Sequence, residues 1–231
     1  MNLSWIERYN TEEVIHVYIE YGEKEIEYLK SKDKKLGQAI EQIGHIHQPL
    51  SPDLFSSVIH HIIGQQISIA AQKTVWNRLN DKLPVIDAEA VLALDRDELQ
   101  TIGITFKKAE YILDFAGKVH TGEFDIDALH DMTDEEVIAA LSSLNGIGVW
   151  TAEMLMIFSM GRKNIVSFGD LAIIRGMRML YRHRKIDREK FNRFKKRYSP
   201  YGTVASLYLW AIAGGAIPEL TDPAPKKVKS K

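Results

Sequence analysis

One short segment carries residues suited to holding an anion through main-chain groups. It reads Leu144-Asn-Gly-Ile-Gly-Val-Trp-Thr-Ala152 and lies between two stretches whose apolar residues have helical spacing. Glycines at 146 and 148 permit a tight turn, where φ is positive or another backbone comes close. Ile147 is expected to turn inward, and the next helix then begins with unpaired N–H groups that favour a negative ligand. Such donors suit a sequence-independent hold on a DNA phosphate; the alternative is a helix–turn–helix used only for packing.

A carboxylate follows 22 residues after Gly148, in the segment Ile165-Val-Ser-Phe-Gly-Asp170. Asp170 opens a run with helical spacing, and aspartate is a preferred N-cap residue. The same side chain, near a helix start and close in sequence to the hairpin, is also placed to face a sugar. The sequence leaves both interpretations open at this point.

The elements that must position these residues are predicted to be helices almost throughout. Apolar residues recur three and four apart, and strong N-terminal signals stand at Ser51-Pro52-Asp53 and at the capping box Thr133–Glu136. Possible strands such as Val85-Ile86 and Ile165-Val166 are too short to build a sheet. We therefore predict an all-α fold of about ten helices, with two helical lobes and a cleft between them. The segments expected to be helical are 12–18, 26–28, 36–43, 54–79 with a break at 64–66, 87–94, 97–99, 107–119, 135–143, 149–160, 170–182 and 204–214.

Domain boundaries follow from the same pattern. Residues 1–217 are expected to form one two-lobed domain, with the hairpin at 141–160, and residues 218–231 a frayed basic tail rich in Pro and Lys. No fixed-period repeat is evident.

Composition narrows the class of protein further. The chain of 231 residues has no cysteine, which excludes disulfides, thiolate metal sites, iron–sulfur clusters and a cysteine nucleophile. The formal charge of −1 conceals an asymmetry, because residues 161–231 carry 17 Lys and Arg against 5 Asp and Glu. Such a distribution favours a surface that faces a polyanion. No apolar run is long enough to span a membrane, and the N-terminus does not read as a signal peptide, so an intracellular protein is expected.

Taken together, these segments resemble the helix–hairpin–helix/Gly-Pro-Asp DNA glycosylase superfamily. Three strings are similar to its alkylbase (3-methyladenine) branch: Ile62 to Ala71, Leu144 to Ala152 with Trp150, and Ser199 to Trp210. The similarity covers roughly residues 50 to 215 in the correct order. The region before the first motif reads as helical, so the resemblance is to the compact members that lack an N-terminal β domain.

The resemblance implies roles for three residues of the reaction. Asp170 matches the catalytic aspartate, whose carboxylate stabilises positive charge on the deoxyribose as the glycosidic bond breaks. Trp150 stands where strand-cleaving members carry a nucleophilic lysine, which implies a monofunctional enzyme that leaves an abasic site. Trp150 and Trp210 match tryptophans of the base pocket, where an indole attracts a cationic alkylated purine such as 3-methyladenine or 7-methylguanine. The alternative for both is a role in the core.

The resemblance also implies a set of DNA contacts. The family places a residue of the loop after the first apolar helix into the gap left by the flipped nucleotide. Gln66 is the candidate, with Gln65 at the edge of the base pocket. The alternative for both is a helix-capping or interlobe hydrogen bond. No organic cofactor is implied, but the hairpin carbonyls would hold a monovalent cation, Na⁺ or K⁺. The further DNA-binding candidates are Ser68, Gly146, Gly148 and Thr151, and the candidate cation ligands are the carbonyls of Ser142, Leu144 and Ile147.

The sequence departs from the family at two positions near the site. Ser167-Phe168-Gly169 replaces the usual proline-containing loop before Asp170, and Met154 stands where one bacterial subgroup has an aromatic residue. The expected partner is double-stranded DNA with alkylated bases, bound by a monomer that would be cytoplasmic in a bacterium and nuclear in a eukaryote. Phosphate neutralisation is expected along the basic stretch Arg182–Arg197. Two alternatives stay open: a non-catalytic relative that recognises damage, and a glycosylase for other damaged bases.

Overall fold

The computed structural model describes residues 17–224, and every regular element in that range is helical. This confirms the predicted all-α class. The helices are α1 Glu23–Lys32, α2 Lys34–Ile43, α3 Leu54–Gly64, α4 Ile69–Lys82, α5 Ala88–Leu92, α6 Arg96–Gln100, α7 Phe106–His120, α8 Asp134–Ser142, α9 Val149–Phe158, α10 Leu171–Tyr181, α11 Arg188–Tyr198 and α12 Gly202–Ala213, with a 3-10 turn at Ala128–His130.

The chain divides into two compact units. The discontinuous unit comprises, among the described residues, 17–50 and 161–224, and contains α1, α2 and α10–α12. The hairpin unit comprises residues 51–160 and contains α3–α9. The two units correspond in number to the two helical lobes that the sequence predicts. The cleft between the lobes stays a prediction. Within 17–224, no helix is long and apolar enough to cross a membrane.

Local capping signals in the sequence determine several helix starts. The Asp53 side chain accepts a hydrogen bond from the Ser56 N–H and opens α3. Thr133 and Glu136 form the expected capping box at α8. Each such bond satisfies an N–H that the helix itself leaves unpaired. The helix starts predicted at Ser51-Pro52-Asp53 and at Thr133–Glu136 are therefore confirmed. The start of α11, which Asp187 caps by accepting from the Lys190 N–H, was not predicted.

Two terminal predictions need correction. Residues 12–16 of the predicted first helix lie outside the described residues, while Val17 and Tyr18 are extended and Tyr18 forms an isolated antiparallel bridge with Pro49. The segment predicted as a frayed tail is anchored at its start, because the Arg178 guanidinium donates two hydrogen bonds to the Asp222 carboxylate. The basic residues from Lys226 onward lie outside the described residues.

The core of the discontinuous unit is built mainly by α10 and α12. Gly176 lets the two helices approach closely, since a Cβ there would lie 2.2 Å from the Leu209 carbonyl oxygen. Leu209 and Met177 are fully buried at this contact. The close packing places the start of α10, and hence Asp170, beside Trp210 on α12.

The hairpin unit holds α8 and α9 together through buried side chains on both sides of the turn. Leu141, Leu144 and Ile147 are buried, and every residue of α9 from Thr151 to Phe158 is buried as well. Ile147 therefore points inward, as predicted. Only the first two residues of α9 remain exposed.

Two partly buried histidines of α3 predict an acid sensitivity of the hairpin unit. Burial lowers the pKa of His60 from 6.5 to about 4, and burial also lowers the pKa of His61. Above pH 6.5 both histidines are neutral in the folded and unfolded chain, so stability is unaffected; below it the unfolded chain binds protons first. His60 alone is expected to cost about 3 kcal/mol of unfolding free energy as the pH falls from 6.5 to 4.

Denaturant unfolding across that pH range measures this loss. His60→Gln should lose a large part of the pH dependence, whereas His120→Gln, at an exposed histidine that ends α7, should retain it. Equal pH profiles for the two variants would contradict the assignment to His60.

Candidate active site

Asp170 is the N-cap of α10 and is 7% exposed. Its Oδ1 accepts hydrogen bonds from the Ala172 and Ile173 N–H groups, both at 2.8 Å. The same oxygen accepts a third hydrogen bond from the Trp210 indole Nε1 at 3.2 Å. Three donors on one oxygen hold the carboxylate in a single orientation. Asp170 therefore caps α10, as one interpretation of the sequence predicts. It also accepts a hydrogen bond from Trp210, which capping does not require.

The loop before Asp170 is held by hydrogen bonds in place of the missing proline. The Ile165 N–H donates to Thr203 Oγ1 at 3.1 Å, and the Ser206 hydroxyl donates to the Ile165 carbonyl at 2.9 Å. Val166 and Ser167 are buried. Since α12 supplies both side chains, the helix that carries Trp210 also positions the approach to Asp170.

An exposed apolar residue lies next to the carboxylate. Leu171, the first residue of α10, is 85% exposed, the largest value among the described large apolar side chains. Exposing a leucine to water is unfavourable, by about 25 cal/mol for each Å² of apolar surface. Sequence reasoning missed Leu171, because helical periodicity alone does not distinguish an exposed first-turn leucine from a core residue.

The hairpin glycines have different physical reasons to be glycine. Gly146 has a φ of +83°, and a Cβ there would lie 2.5 Å from the Tyr111 ring. Gly148 has a φ of −97°, and its Cβ would meet no atom within 4 Å. Gly146 is thus required by the fold itself, whereas nothing described within the chain requires Gly148. The open space there suits close approach of a ligand from outside.

The N-terminus of α9 offers main-chain donors at that open space. Gly148 is its N-cap and supplies no side-chain acceptor, and the first N–H bonded within the helix is that of Ala152. Val149 is 55% exposed and Trp150 is 47% exposed. The Thr151 side chain is buried, so only its backbone N–H remains for the predicted DNA contact. This arrangement can bind an oxyanion.

The loop between α3 and α4 is tied to the hairpin. The Gln65 side-chain amide donates to the Gly146 carbonyl at 2.6 Å. Gln66 is exposed and has a φ of +59°, a left-handed conformation that non-glycine residues seldom adopt. Ile67 is 39% exposed, and Ser68 caps α4 by accepting from the Ala71 N–H. This hydrogen bond of Gln65 lies within the hairpin unit, so it is not the interlobe bond considered as an alternative. The place of Gln65 in a base pocket stays a prediction.

A lysine that sequence reasoning missed fixes this loop. Lys108 Nζ donates to the Ile63 carbonyl at 2.8 Å and to the Gln65 carbonyl at 2.6 Å. Burial lowers the pKa of this ammonium group. The two bonds satisfy carbonyls at the C-terminal end of α3, where a cation also complements the helix dipole. No local sequence signal could identify Lys108, because its partners lie more than 40 residues away.

The hairpin carbonyls fit the predicted monovalent cation in part. The Leu144 carbonyl accepts a hydrogen bond from the Ile147 N–H, whereas the Ser142 and Ile147 carbonyls accept none from the described backbone. The buried Ser142 hydroxyl has no hydrogen-bond partner among the described residues. Two of the three carbonyls are thus open to a cation. Residues 17–224 contain no group of three His, Asp or Glu side chains arranged for a metal ion.

Comparison with known proteins locates this arrangement in one family. Residues 59–200 match the family described as HhH-GPD superfamily base excision DNA repair protein. The crystal structure of a DNA-3-methyladenine glycosidase from Bacillus halodurans superposes with a TM-score of 0.80 at 33% identity, covering 88% of this chain and 95% of that one.

Two further relatives extend the comparison. A Schizosaccharomyces pombe 3-methyladenine DNA glycosylase in complex with abasic DNA superposes with a TM-score of 0.72 over 86% of this chain and 99% of that chain; at 22% identity it shows the fold alone. The Bacillus subtilis protein YfjP is 29% identical over 126 residues, which is 53% of this chain and 43% of YfjP. The chain therefore spans less than half the length of that relative.

Proposed function

Because the chain belongs to the HhH-GPD superfamily of base excision DNA repair proteins, we propose that it is a DNA glycosylase for N-alkylated purines. In this proposal it flips 3-methyladenine or 7-methylguanine out of duplex DNA, releases the base by hydrolysis and leaves an abasic site. The observation that carries the proposal is the hydrogen bond from the Trp210 indole to Asp170 Oδ1. This bond joins the carboxylate that matches the catalytic aspartate of the family to a tryptophan of the predicted base pocket.

Asp170 would act by electrostatics. Positive charge develops on the deoxyribose as the C1′–N bond breaks, and an oriented carboxylate stabilises that charge and orients the attacking water. The three N–H donors on Oδ1 hold the group in place before the reaction, so little reorganisation is needed. An N-alkylated purine is already cationic and leaves readily, which removes the need for a strong general acid.

The hairpin would hold the DNA strand. The N–H groups at the start of α9 are the proposed phosphate donors, and the absence of a Cβ at Gly148 leaves room for the backbone of the strand. The Ser142 and Ile147 carbonyls, with that of Leu144, are the proposed ligands of a Na⁺ or K⁺ ion that would neutralise part of the same phosphate. Gln66 remains the candidate for filling the gap left by the flipped nucleotide.

The identity of residue 150 leads the proposal to exclude strand cleavage. Trp150 stands where strand-cleaving members carry a lysine, and an indole cannot form a Schiff base with the sugar. The proposal therefore assigns simple hydrolysis, with no covalent intermediate.

The direct test is incubation of the purified protein with methylated duplex DNA. We expect free 3-methyladenine or 7-methylguanine by chromatography, strand breaks only after alkali, and no protein–DNA adduct after borohydride reduction. An absence of free base would refute the glycosylase activity, whereas borohydride trapping would refute only the assignment of simple hydrolysis.

Trp150 offers a prediction about substrate charge. Because its side chain is 47% exposed, Trp150→Ala should leave Tm nearly unchanged while lowering kcat/KM for cationic 7-methylguanine about 5- to 30-fold, the loss of one cation–π contact. Release of the uncharged base hypoxanthine, if measurable, should fall less. Val149→Ala, at the neighbouring exposed residue, is the matched control and should change neither rate selectively. An equal loss for charged and uncharged bases in Trp150→Ala would contradict the cation–π role.

One observation favours a second candidate, a damage-binding protein without catalysis. Asp170 is buried and caps α10, a structural duty that would by itself explain an aspartate at this position. This candidate predicts tight binding to abasic DNA with no release of base.

A further inference from the structure

A basic pocket lies in the discontinuous unit, away from Asp170. Its volume is about 520 Å³, within the roughly 300–1,000 Å³ of small-molecule sites. Tyr181 and His183 line it at the C-terminal end of α10, whereas Asp170 caps the N-terminal end. An eleven-residue helix is about 16 Å long, so the pocket is separate from the candidate active site. Its basic lining residues are Lys32, Lys34, Lys35, Lys190, Arg193 and Arg197.

The charge of this pocket is largely uncompensated. Asp33 is the only carboxylate among the lining residues, and its side chain is 4% exposed and already bonded to Arg197 Nη1 at 3.2 Å. The side chains of Lys34, Lys35 and Arg193 make no ion pair with any described residue. Like charges gathered in this way destabilise the folded protein unless an anion neutralises them.

The start of α2 adds a second unfavourable arrangement. Lys34 and Lys35 are the first two residues of α2, and its first turn holds no acidic residue. The N-terminus of a helix carries partial positive charge, so two lysines there oppose the helix dipole. A bound anion would make the interaction with both lysines favourable, although the first N–H groups of α2 already donate to the Asp33 carboxylate.

The floor of the pocket is rigid. Tyr181 Oη donates to Asp33 Oδ2 at 2.8 Å, and the Tyr181 ring stacks on Phe194 with centroids 3.9 Å apart. Asp33 also caps α2 by accepting from the Lys35 and Leu36 N–H groups. One buried carboxylate thus connects α2, α10 and α11, and holds cations from α2 and α11 around one space. The helices that carry these cations are thus fixed relative to one another before a ligand binds, which lowers the entropy cost of binding.

We propose that this pocket binds consecutive phosphate groups, supplied either by a DNA backbone or by a free polyphosphate. Four of the six cations, those of Lys32, Lys34, Lys35 and Arg193, make no ion pair with a described residue. Four positive charges around one space exceed what a single phosphate dianion would neutralise. Both sources present the same phosphate oxyanions to the pocket. The pocket contributes to the affinity for DNA only if a DNA backbone is the source. The proposal does not depend on which base the protein releases.

The test compares two variants that each remove two positive charges. Lys34→Gln/Arg193→Gln alters the pocket, and Lys24→Gln/Lys82→Gln removes two exposed lysines that do not line it. Because Lys34 and Arg193 make no ion pair with any described residue, we expect the pocket variant to have a Tm at or above that of the wild type. Affinity for undamaged duplex DNA is measured by fluorescence anisotropy between about 50 and 200 mM salt, and the Tm is measured against sodium tripolyphosphate at constant ionic strength.

If the DNA backbone is the source, the slope of log K against log salt should be shallower in the pocket variant than in the control by about 1–2 units, about 0.9 for each lost phosphate contact. If a free polyphosphate is the source, the salt slopes should match, while tripolyphosphate raises the Tm of the wild type and control saturably and fails to raise that of the pocket variant. Equal behaviour of the two variants in both assays would overturn the proposal. Base release from methylated DNA is a separate readout, so failure of the proposed glycosylase activity would be recognised independently.

Discussion

Replacing Asp170 by asparagine is expected to lower the rate of base release about 10²- to 10³-fold, the loss of one preorganised electrostatic group. Asparagine lacks the negative charge that stabilises the developing oxocarbenium ion. It keeps an oxygen that can accept from the Ala172 and Ile173 N–H groups and from the Trp210 indole. Asparagine and aspartate are about equally good N-caps, so the Tm and the affinity for abasic DNA should change little. Single-turnover release of 7-methylguanine, together with thermal unfolding, measures both effects.

Asp170→Ala provides the comparison for this variant. Alanine removes the charge and the cap together, so release should fall similarly while stability falls by about 0.5–2 kcal/mol. The pair separates the two duties of Asp170, because only the alanine variant loses the cap. Near wild-type release by Asp170→Asn would show that the carboxylate serves only to cap α10, and the catalytic assignment would fail.

Replacing Gly148 by serine is expected to weaken duplex DNA binding about 10- to 100-fold, the loss of one or two hydrogen bonds to a charged phosphate. The new side chain would project into space that holds no described atom of the protein within 4 Å. Serine is a good N-cap, so the Tm should stay the same or rise. The added hydroxyl would occupy the position from which a phosphate oxygen approaches the N–H groups of α9. Equilibrium binding to undamaged duplex DNA at fixed salt measures the loss.

Gly146→Ala is the matched substitution on the other side of Ile147. It should destabilise the protein by about 1–3 kcal/mol, because φ is +83° and the Cβ would clash with the Tyr111 ring. In Gly146→Ala, weaker DNA binding should be accompanied by a lower Tm. In Gly148→Ser, DNA binding should weaken without a lower Tm. Wild-type DNA affinity in a folded Gly148→Ser protein would show that the start of α9 does not hold a phosphate.

Features that depend only on neighbouring residues could be predicted from the amino-acid sequence. The Thr133–Glu136 capping box, the caps at Asp53 and Asp170 and the inward turn of Ile147 all rest on contacts within a few residues. Hydrogen bonds of this range follow from residue type and spacing, so pattern reasoning predicts them. The ordered motifs likewise identified the family, since the three strings and the Asp170 segment follow one another in the correct order, which is specific even where each alone is weak.

Contacts between residues far apart in the sequence depend on how the helices pack and could not be predicted in this way. The Trp210 indole reaches Asp170 because Gly176 lets α10 and α12 pack closely. Lys108 reaches the carbonyls at the end of α3, and Asp222 anchors a segment whose composition predicts fraying. Periodicity reports which face of a helix is apolar but carries no information about the partner of that face, since the partner depends on how helices pack. The basic pocket could not be predicted for the same reason. The run of charges near residue 190 suggests a solvated helix. Only folding brings the lysines of α2 and the buried Asp33 carboxylate next to that helix.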